Sequence, residues 1–242
     1  MNAAKPALTP EQRSFLEALF TDDAAFEEDA LRVYASDASL RRGPVLAMVR
    51  PRTVEQVREL MRWAEVERIP IHPRGRGTSL SGGCVPTRAG VVVSMLGMDR
   101  ILDISSEDFV AVIEPGVNTL AFQQACEQKG LFYPPDPASG KATSVGGNVM
   151  TCAGGLRAVK YGVTRDYVLG MEAVLPGGKL LKLGGRTHKD VIGLDMRRCA
   201  QEIRLSGFEM NAQGEGLAAG QSPAGGSYAP TGTQVRVTFE MP

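Results

Sequence analysis

Residues 73–83 read PRGRGTSLSGG, and this glycine-rich run decides how the rest of the chain is interpreted. It follows a short apolar segment, IPIHP (69–73), whose pattern predicts a β-strand. Two structures account for such a run: a surface turn, or a loop whose backbone N–H groups and hydroxyls surround an anion. Arg74 and Arg76 would add positive charge beside a diphosphate. The run matches neither the Walker pattern GxxxxGKS/T nor the GxGxxG fingerprint that opens a long helix.

Two further segments have a similar composition. Residues 134–155 read PPDPASGKATSVGGNVMTCAGG, with glycine pairs at 146–147 and 154–155 and a short helix predicted at roughly 144–153. Thr143 and Ser144 are candidate caps for that helix. Residues 160–170, KYGVTRDYVLG, add aromatic and hydroxyl side chains. Several such segments in one domain favour an extended ligand held along its length over an isolated surface turn.

The overall composition excludes several classes of function. Lys+Arg and Asp+Glu both number 27, so the formal charge of zero gives no reason to expect nucleic acid as a partner. No apolar run reaches the ~20 residues of a membrane-spanning helix. The N-terminus, MNAAKPALTPEQ, lacks the apolar core of a signal peptide. We therefore expect a cytoplasmic protein, peripheral to a membrane only through a partner protein.

The cysteines and histidines give no sign of a metal site. The four cysteines are scattered without a CxxC, and the two histidines are far apart in the sequence. Reduced thiols fit a cytosolic chain. We expect His72 to be a packed or partly exposed side chain beside the glycine-rich loop. His188 is expected in a loop that could approach a substrate, and Trp63 in the core.

The periodicity of apolar residues predicts an α+β fold. Helices are expected after Thr9, after Thr53 and over residues 119–129, with Gln12 and Gln56 completing capping boxes in the first two. Few helices among short strands favour α+β over regular βαβ repeats. Residues 206–232 are glycine-rich without a period, which predicts loop or disorder. Strands are expected at 69–73, 90–95, 109–116 and 234–240, with a hairpin over 167–183 that turns at 176–178.

The three glycine- and hydroxyl-rich segments, with YASDAS (34–39), VRPRTVEQV (49–57) and VIEPGV (112–117), resemble the FAD-binding domain of FAD-linked 2-hydroxy-acid dehydrogenases. That group includes D-lactate dehydrogenases and the flavin subunit of glycolate oxidase, within the vanillyl-alcohol-oxidase-type flavoprotein superfamily. The motifs occur in the family's order from about residue 30 to about residue 196. The resemblance implies a PCMH-type α+β fold, in which two small β-sheet subdomains are flanked by helices and FAD is bound between them.

The resemblance also implies cofactor-binding roles by position. Relatives that attach FAD covalently have a histidine at the place of Thr78, and threonine has no imidazole, so non-covalent FAD is expected. Cys152 stands where many relatives have a polar residue, and we interpret it as a buried small thiol. The loop around the FAD diphosphate would comprise Pro73, Arg74, Gly75, Arg76, Gly77, Thr78, Ser79, Leu80, Gly82 and Gly83. The flavin and its ribityl chain would be lined by Pro135, Asp136, Pro137, Ser139, Gly146, Gly147, Asn148, Gly154 and Gly155, followed by Tyr161, Gly162 and Thr164.

The function implied is that of an FAD-dependent oxidoreductase, which oxidises a small 2-hydroxy acid such as lactate or glycolate by hydride transfer to flavin. In the family, the base and the cation that bind the substrate come from a C-terminal substrate domain, so no catalytic residue is identified in this sequence. The alternative is a non-catalytic flavin- or nucleotide-binding module that acts only with a partner subunit. Nucleotide binding without flavin would leave the proline–aspartate and GGN segments unexplained.

The C-terminal part departs from the family pattern. VIGLDMRRC (191–199) begins the expected passage, but no GSEG-type segment follows, and the sequence ends after QVRVTFEMP, which resembles the family's last strand. We expect an N-terminal helix over 1–30, an FAD-binding domain over 31–199 and an atypical glycine-rich tail over 200–242, without the substrate domain. A shifted reading frame, a natural truncation and a split enzyme completed by another subunit all account for this pattern.

Overall fold

A computed structural model describes residues 7–186, 209–213, 217–222 and 234–240 of the chain. The chain divides into two units, Met1–Leu183 and Gly184–Pro242. The expected domain boundary between residues 199 and 200 lies outside the described residues and stays a prediction. The described helices are α1 (Pro10–Phe20), α2 (Glu28–Leu31), α3 (Val54–Glu67), α4 (Thr119–Gln128), α5 (Val145–Thr151) and α6 (Ala158–Tyr161).

The strands of the described residues form four small sheets, which with the helices confirm the expected α+β class. In the first unit these are one four-stranded sheet and two separate strand pairs, and the second unit has a three-stranded sheet. The strands are β1 (Ala24–Ala25), β2 (Val45–Val49), β3 (Ile71–Arg74), β4 (Gly90–Ser94), β5 (Ile101–Ser105), β6 (Val110–Ile113), β7 (Gly170–Val174), β8 (Leu180–Gly184), β9 (Glu209–Gln213), β10 (Leu217–Ser222) and β11 (Gln234–Glu240).

The four-stranded sheet positions the glycine-rich loop. Strands β2 and β3 both pair in parallel with β4, which lies between them, while β1 pairs antiparallel with β2. The segment β2–α3–β3 is therefore a helical crossover with a third strand inserted between its two strands. Parallel strands end at the same edge of a sheet, so β3 delivers the loop to the edge where β2 and β4 also end.

Capping fixes the starts of the first two long helices, although only one of the two expected capping boxes forms. The Thr9 hydroxyl accepts from the Gln12 N–H at 3.2 Å, and the Gln12 side chain accepts from the Thr9 N–H at 2.9 Å. Thr53 likewise accepts from the Gln56 N–H. The Gln56 side chain, however, accepts from the backbone of Arg52 and donates to the Leu19 carbonyl, so it joins α3 to α1 instead of closing the box.

The apolar faces of α1 and α3 pack on this sheet, which confirms their expected role in the core. The rings of Phe15 and Trp63 stack with centroids 5.0 Å apart, so Trp63 is explained by packing. All five residues of β4 are buried, as expected for a central parallel strand. The buried cluster consists of Leu16, Phe20, Ala47, Val49, Leu60, Val91 and Val93.

A second, smaller core lies under α4 and the β5–β6 pair. Phe122 and Cys126 of α4 are buried together with Val117 and Val145. Val145 is the first residue of α5, so this cluster joins the second glycine-rich segment to the strands. The cysteines Cys84, Cys126 and Cys152 are all free thiols.

Short strands account for most differences from the sequence-based expectation. The strand Val45–Val49 was not predicted, although VLAMV is an apolar run bounded by Gly43-Pro44 and Pro51. In the second unit, β11 is confirmed at residues 234–240. The expectation of loop or disorder over 206–232 was wrong at β9 and β10, which pair parallel and antiparallel with β11. Ladder hydrogen bonds come from the backbone, so a glycine-rich segment can supply them when a partner strand is available.

The hairpin expected over 167–183 is confirmed as β7 and β8 with a turn at Pro176–Gly178. The turn contacts α3, where the Arg58 guanidinium donates to the Gly178 carbonyl at 3.0 Å. Among the described residues, no helix has the length and apolarity needed to cross a membrane. That same part of the chain contains no His, Cys, Asp or Glu cluster suited to a metal ion.

An ion pair connects the β5–β6 pair and predicts how stability depends on pH. Glu114, 6% exposed, accepts from the backbone N–H of Arg100 at 2.8 Å and from its Nη2 at 2.7 Å. These hydrogen bonds lower the pKa of the Glu114 carboxyl below its usual value. A carboxyl group with a lowered pKa in the folded chain adds stability above about pH 4, and that stability is lost as the pH falls through the folded pKa.

We therefore expect Glu114→Gln to lower the free energy of unfolding at pH 7 by about 1–3 kcal/mol, because a buried charged hydrogen bond is lost. The difference from wild type should shrink as the pH falls below about 4. Urea denaturation at several pH values measures both effects. The same substitution at the exposed Glu107 is the control, with an expected change within about 0.5 kcal/mol. A difference that stays constant down to pH 3 would refute the assignment.

Candidate functional site

The loop that follows β3 presents bare backbone. Gly77 and Gly82 have φ angles of +68° and +77°, a left-handed conformation that glycine adopts without strain. Among the described residues, the backbone N–H groups of residues 76–80 donate no hydrogen bond to the protein. A row of backbone donors without protein acceptors is the arrangement that binds an anion.

The side chains of this loop differ in exposure. Pro73, Arg76, Leu80 and Gly83 are exposed, and Leu80 is 82% exposed. The hydroxyls of Ser79 and Ser81 lie 2.8 Å apart, within hydrogen-bond distance. The two arginines of the loop therefore occupy different environments, since Arg74 is buried at 8% exposure.

The second glycine-rich segment meets the first. The Thr78 hydroxyl donates to the Thr143 hydroxyl at 3.3 Å. A Cβ atom built on Gly75 would lie 2.5 Å from the Ser144 Oγ, so a larger residue there would have to displace the Ser144 hydroxyl. The structure thus brings the two segments together, although Thr78 and Thr143 are 65 residues apart in the sequence.

Ser144 was considered only as a helix cap in the sequence, and its side chain does not cap α5. Its hydroxyl is buried and has no hydrogen-bond partner among the described residues. Buried hydroxyls normally find a partner, and one without a partner calls for an explanation. This hydroxyl lies at the contact between the two glycine-rich segments, where a ligand with acceptor oxygens would supply that partner.

The first turn of α5 is docked on the VIEPGV segment. Val145 and Gly146 donate their backbone N–H groups to the carbonyls of Val117 and Pro115, each at 2.9 Å. A Cβ atom on Gly146 would lie 2.6 Å from the Pro115 Cβ, so only glycine permits this approach. Among the described residues, the Gly147 N–H has no acceptor, which leaves another backbone donor next to Ser144.

Asn148 belongs to a buried network and is 2% exposed. Its amide nitrogen donates to the Thr119 hydroxyl at 2.8 Å, and its carbonyl oxygen accepts from the Thr143 hydroxyl at 3.0 Å. Because Thr78 donates to Thr143, the network extends from α4 through α5 to the loop. The side chain of Asn148 is therefore engaged with protein groups that position the loop.

The PDP segment contacts the second glycine pair. Asp136 and Gly155 form a parallel β-bridge, and Gly155 has a φ angle of +118°. The Pro135 carbonyl accepts from the Gln123 amide at 2.8 Å, which ties this segment to α4. The Ser139 carbonyl accepts from the backbone of the residues that lead into α5. Pro135 and Pro137 are buried, and Asp136 forms an ion pair with Arg157 at 3.5 Å.

Residues 161–164 of the third predicted segment pack beside Gly154. Thr164 is buried and donates to the Ala153 carbonyl at 2.6 Å, and Gly162 has a φ angle of +83°. Tyr161 is 38% exposed, with its ring edge against Phe132. No hydrogen bond of the described residues joins this segment to loop 73–83. Contacts therefore unite residues 73–83 with 143–147 and residues 135–139 with 154–164.

Arg41 is a site neighbour that the sequence interpretation missed. Its Cδ lies 3.3 Å from a Cβ atom built on Gly82, beside Ser39. The resemblance of residues 34–39 to a family motif was the available signal, but it named no role for Arg41. An exposed arginine there adds positive charge at the end of the loop.

His72, His188 and Cys152 were not predicted to bind the cofactor. His72 Nε2 lies 3.0 Å from the Arg88 carbonyl, and burial lowers the pKa of this imidazole, which confirms the expected packing role. His188 lies outside the described residues. Cys152 ends α5 with a φ angle of +49° and is half-buried, so the expectation of a fully buried thiol was wrong. Its position one residue beyond the helix keeps it near the surface.

Comparison with known proteins identifies relatives of the chain. It is 47% identical over 152 residues to the glycolate oxidase subunit GlcD of Bacillus subtilis, covering 63% of this chain and 32% of that protein. It is 38% identical over 194 residues to a D-2-hydroxyglutarate dehydrogenase of Stutzerimonas stutzeri, covering 80% and 41%. A D-lactate dehydrogenase of Anaerostipes hadrus is 43% identical over 149 residues, covering 62% and 31%. The chain thus spans about a third to two fifths of these relatives.

Solved structures and a family model agree on the fold. An alkyldihydroxyacetonephosphate synthase superposes with a TM-score of 0.68 at 24% identity, covering 76% of this chain and 36% of that one. A p-cresol methylhydroxylase with substrate bound gives a TM-score of 0.63 at 24% identity, covering 72% and 36%. These two likenesses show the PCMH-type fold alone. The family model of the FAD binding domain matches residues 45–184, more than half of the chain and nearly all the site residues described above, and the chain therefore belongs to the FAD binding domain family.

Proposed function

We propose that the chain binds FAD non-covalently where loop 73–83 meets residues 135–164. The observation that carries this proposal is the row of backbone N–H groups at residues 76–80, which have no acceptor among the described residues, next to the unpartnered Ser144 hydroxyl. Backbone donors in a glycine-rich loop fit the two charged phosphates of FAD. The residues present thus fit the group that the family implies.

Different groups of the predicted site residues would contact different parts of the cofactor. Residues 73–83 would hold the diphosphate, with the exposed Arg76 as a cation at the surface of the loop. Residues 135–139, 146–148, 154–155 and 161–164 would line the flavin and ribityl chain. Bound flavin would supply two-electron redox chemistry, while the protein supplies binding and orientation.

Non-covalent attachment is supported by the side chains near the loop. Thr78 has no nucleophilic nitrogen, and its hydroxyl is engaged with Thr143. Burial raises the pKa of the nearby Cys84 thiol, which disfavours the reactive thiolate. Neither side chain is suited to forming a bond to the flavin.

The proposed reaction is the oxidation of a small 2-hydroxy acid such as lactate or glycolate. Support comes from the relatives described above, which are a glycolate oxidase subunit, a D-2-hydroxyglutarate dehydrogenase and a D-lactate dehydrogenase. The base and the cation that would hold the substrate are not among the residues assigned to the site. A partner subunit would supply these two groups, and an electron-transfer protein would accept the electrons.

The second candidate is a flavin-binding module that requires a partner for turnover. It is favoured by one observation, which is that the described residues of the site all have structural roles or predicted cofactor-binding roles and none is assigned as a base for the substrate. Both candidates share the FAD site and differ only in catalysis. Anaerobic bleaching of bound flavin by lactate, glycolate or 2-hydroxyglutarate would support catalysis by this chain, whereas retained flavin without bleaching would support the module.

We expect the purified chain, incubated with FAD and desalted, to retain the paired flavin absorption bands in the blue and near-ultraviolet. Acid precipitation should release the flavin into the supernatant, because no covalent bond holds it. Riboflavin lacks the diphosphate and should be lost during desalting. A colourless protein would refute FAD binding by this chain, and flavin that stays with the acid precipitate would refute non-covalent attachment.

A further inference from the structure

Arg74 is a buried arginine beneath the glycine-rich loop. Its Nη2 donates to the Val33 carbonyl at 3.1 Å, and its Nη1 lies 3.4 Å from the Cys84 sulfur. The guanidinium carbon lies 5.8 Å from the centre of the Tyr34 ring. Among the described residues, it forms no ion pair with a carboxylate. A buried guanidinium without such a pair must be held by its other contacts.

The guanidinium fills the space beneath Gly77. A Cβ atom built on Gly77 would overlap the Arg74 Nη2, so glycine at this position makes room for the arginine. The Gly77 carbonyl in turn accepts from the Ala38 N–H at 3.1 Å. The loop and residues 33–38 are therefore joined by Arg74 on one side and by a backbone hydrogen bond on the other.

A buried carboxylate extends this arrangement. Asp37, 7% exposed, accepts from the Ser39 N–H at 2.9 Å, and its Oδ2 lies 3.9 Å from the Cys84 sulfur. The thiol thus lies between Arg74 and Asp37. These contacts join the end of β3, the residue after the loop and the segment 33–39.

We propose that Arg74 is a positioning residue that holds the phosphate loop from its inner side, and that it is not a ligand of the diphosphate. The inference rests on the proposed FAD site. The guanidinium cannot turn toward a ligand without giving up its contacts with Val33 and Cys84. By fixing Gly77, it holds the donors of residues 76–80 in place before the ligand arrives, and preorganised donors bind more tightly.

The test compares Arg74→Met with Arg76→Met, which removes an exposed arginine two residues away in the same loop. For Arg74→Met we expect the dissociation constant of FAD to rise about tenfold or more, equally at low and high salt. Amide exchange of Ala38 should become faster in the ligand-free protein. For Arg76→Met the rise should shrink with added salt, because exposed charges are screened, and Ala38 exchange should not change.

Arg74→Lys provides the conservative comparison. It keeps the charge but lacks the planar fork that reaches Val33 and Cys84 together, so it should resemble Arg74→Met. Wild-type FAD affinity in Arg74→Lys or Arg74→Met would overturn the proposal. A salt-dependent loss of FAD affinity in Arg74→Met, with unchanged amide exchange of Ala38, would also overturn it, because that result would make Arg74 a direct ligand.

If Arg74→Met does not fold, Gly77→Ala and Gly82→Ala decide the matter. Both glycines have positive φ angles, +68° and +77°, so the backbone strain is matched, but only a methyl group at Gly77 displaces the guanidinium. Gly77→Ala should weaken FAD binding and speed up amide exchange of Ala38 more than Gly82→Ala does. Equal effects of the two substitutions would overturn the proposal. Failure of the wild-type chain to bind FAD would refute the proposed function. The rate of Ala38 amide exchange in the ligand-free variants would still test whether Arg74 holds the loop.

Discussion

Replacing Gly155 with alanine is expected to abolish FAD retention and to destabilise the first unit by at least about 3 kcal/mol. Gly155 has a φ angle of +118°, which side chains rarely adopt. A Cβ atom there would overlap the carbonyl oxygen of Asp136. Both the local strain and the overlap involve backbone atoms, so rotation of a side chain cannot relieve them.

The overlap matters because Asp136 and Gly155 form the bridge between the PDP segment and the second glycine pair. Moving either segment would also displace Asp136 from Arg157, which lies 3.5 Å away. The surfaces proposed to line the flavin would then separate. The loss should therefore appear in FAD binding as well as in stability.

Urea denaturation and flavin retention after desalting measure the two effects. Gly130→Ala is the control, because Gly130 also lies in the first unit and has a positive φ angle, +73°, but a Cβ atom there would meet nothing within 4 Å. Its denaturation midpoint should fall much less than that of Gly155→Ala. If Gly155→Ala and Gly130→Ala had the same midpoint, the close approach of residues 136 and 155 would be refuted.

The second large effect is expected for Asn148→Ala, with a loss of about 2–4 kcal/mol in the free energy of unfolding. Thr119 and Thr143 are 0% and 4% exposed, and both use Asn148 as a hydrogen-bond partner. Alanine would leave two buried hydroxyls without that partner and would create a cavity. Unsatisfied buried polar groups lose their hydration without compensation.

FAD binding should weaken as well, since the network ends at Thr78 in the loop. Thermal or urea denaturation gives the stability change, and a titration with FAD gives the affinity. Gln124→Ala, at an exposed position of α4, is the control and should change stability by no more than about 0.5 kcal/mol.

A double-mutant cycle with Thr78→Val tests whether the two positions act through one network. Groups that share hydrogen-bond partners have non-additive effects, so the double variant should lose less stability than the sum of the single variants. Strict additivity, or an Asn148→Ala protein as stable as Gln124→Ala, would contradict the buried network.

Local signals determined much of the fold. The caps at Thr9 and Thr53 and the apolar periodicity that follows them fixed the starts of α1 and α3, since capping and amphipathic spacing are short-range effects. The hairpin turn at 176–178 and the strand at 234–240 were predictable for the same reason. The glycines at 75, 77, 82 and 155 marked places of close approach, although their neighbours could not be named.

Contacts between distant segments decided the rest. The Ser144 hydroxyl, which has no partner in the described part of the chain, is buried because α5 docks beside the loop, and the Thr78–Thr143 hydrogen bond forms for the same reason. Strands β9 and β10 form because β11 supplies backbone partners, whatever their composition. The sequence placed Arg74 with Arg76 as a cation beside the diphosphate, whereas the burial of Arg74 follows from the packing of segment 33–38 beneath the loop. Composition and spacing therefore singled out the glycine-rich segments, and the resemblance to a family predicted their cofactor-binding residues. The direction of each side chain required the tertiary structure, because direction is set by neighbours that lie far away along the chain.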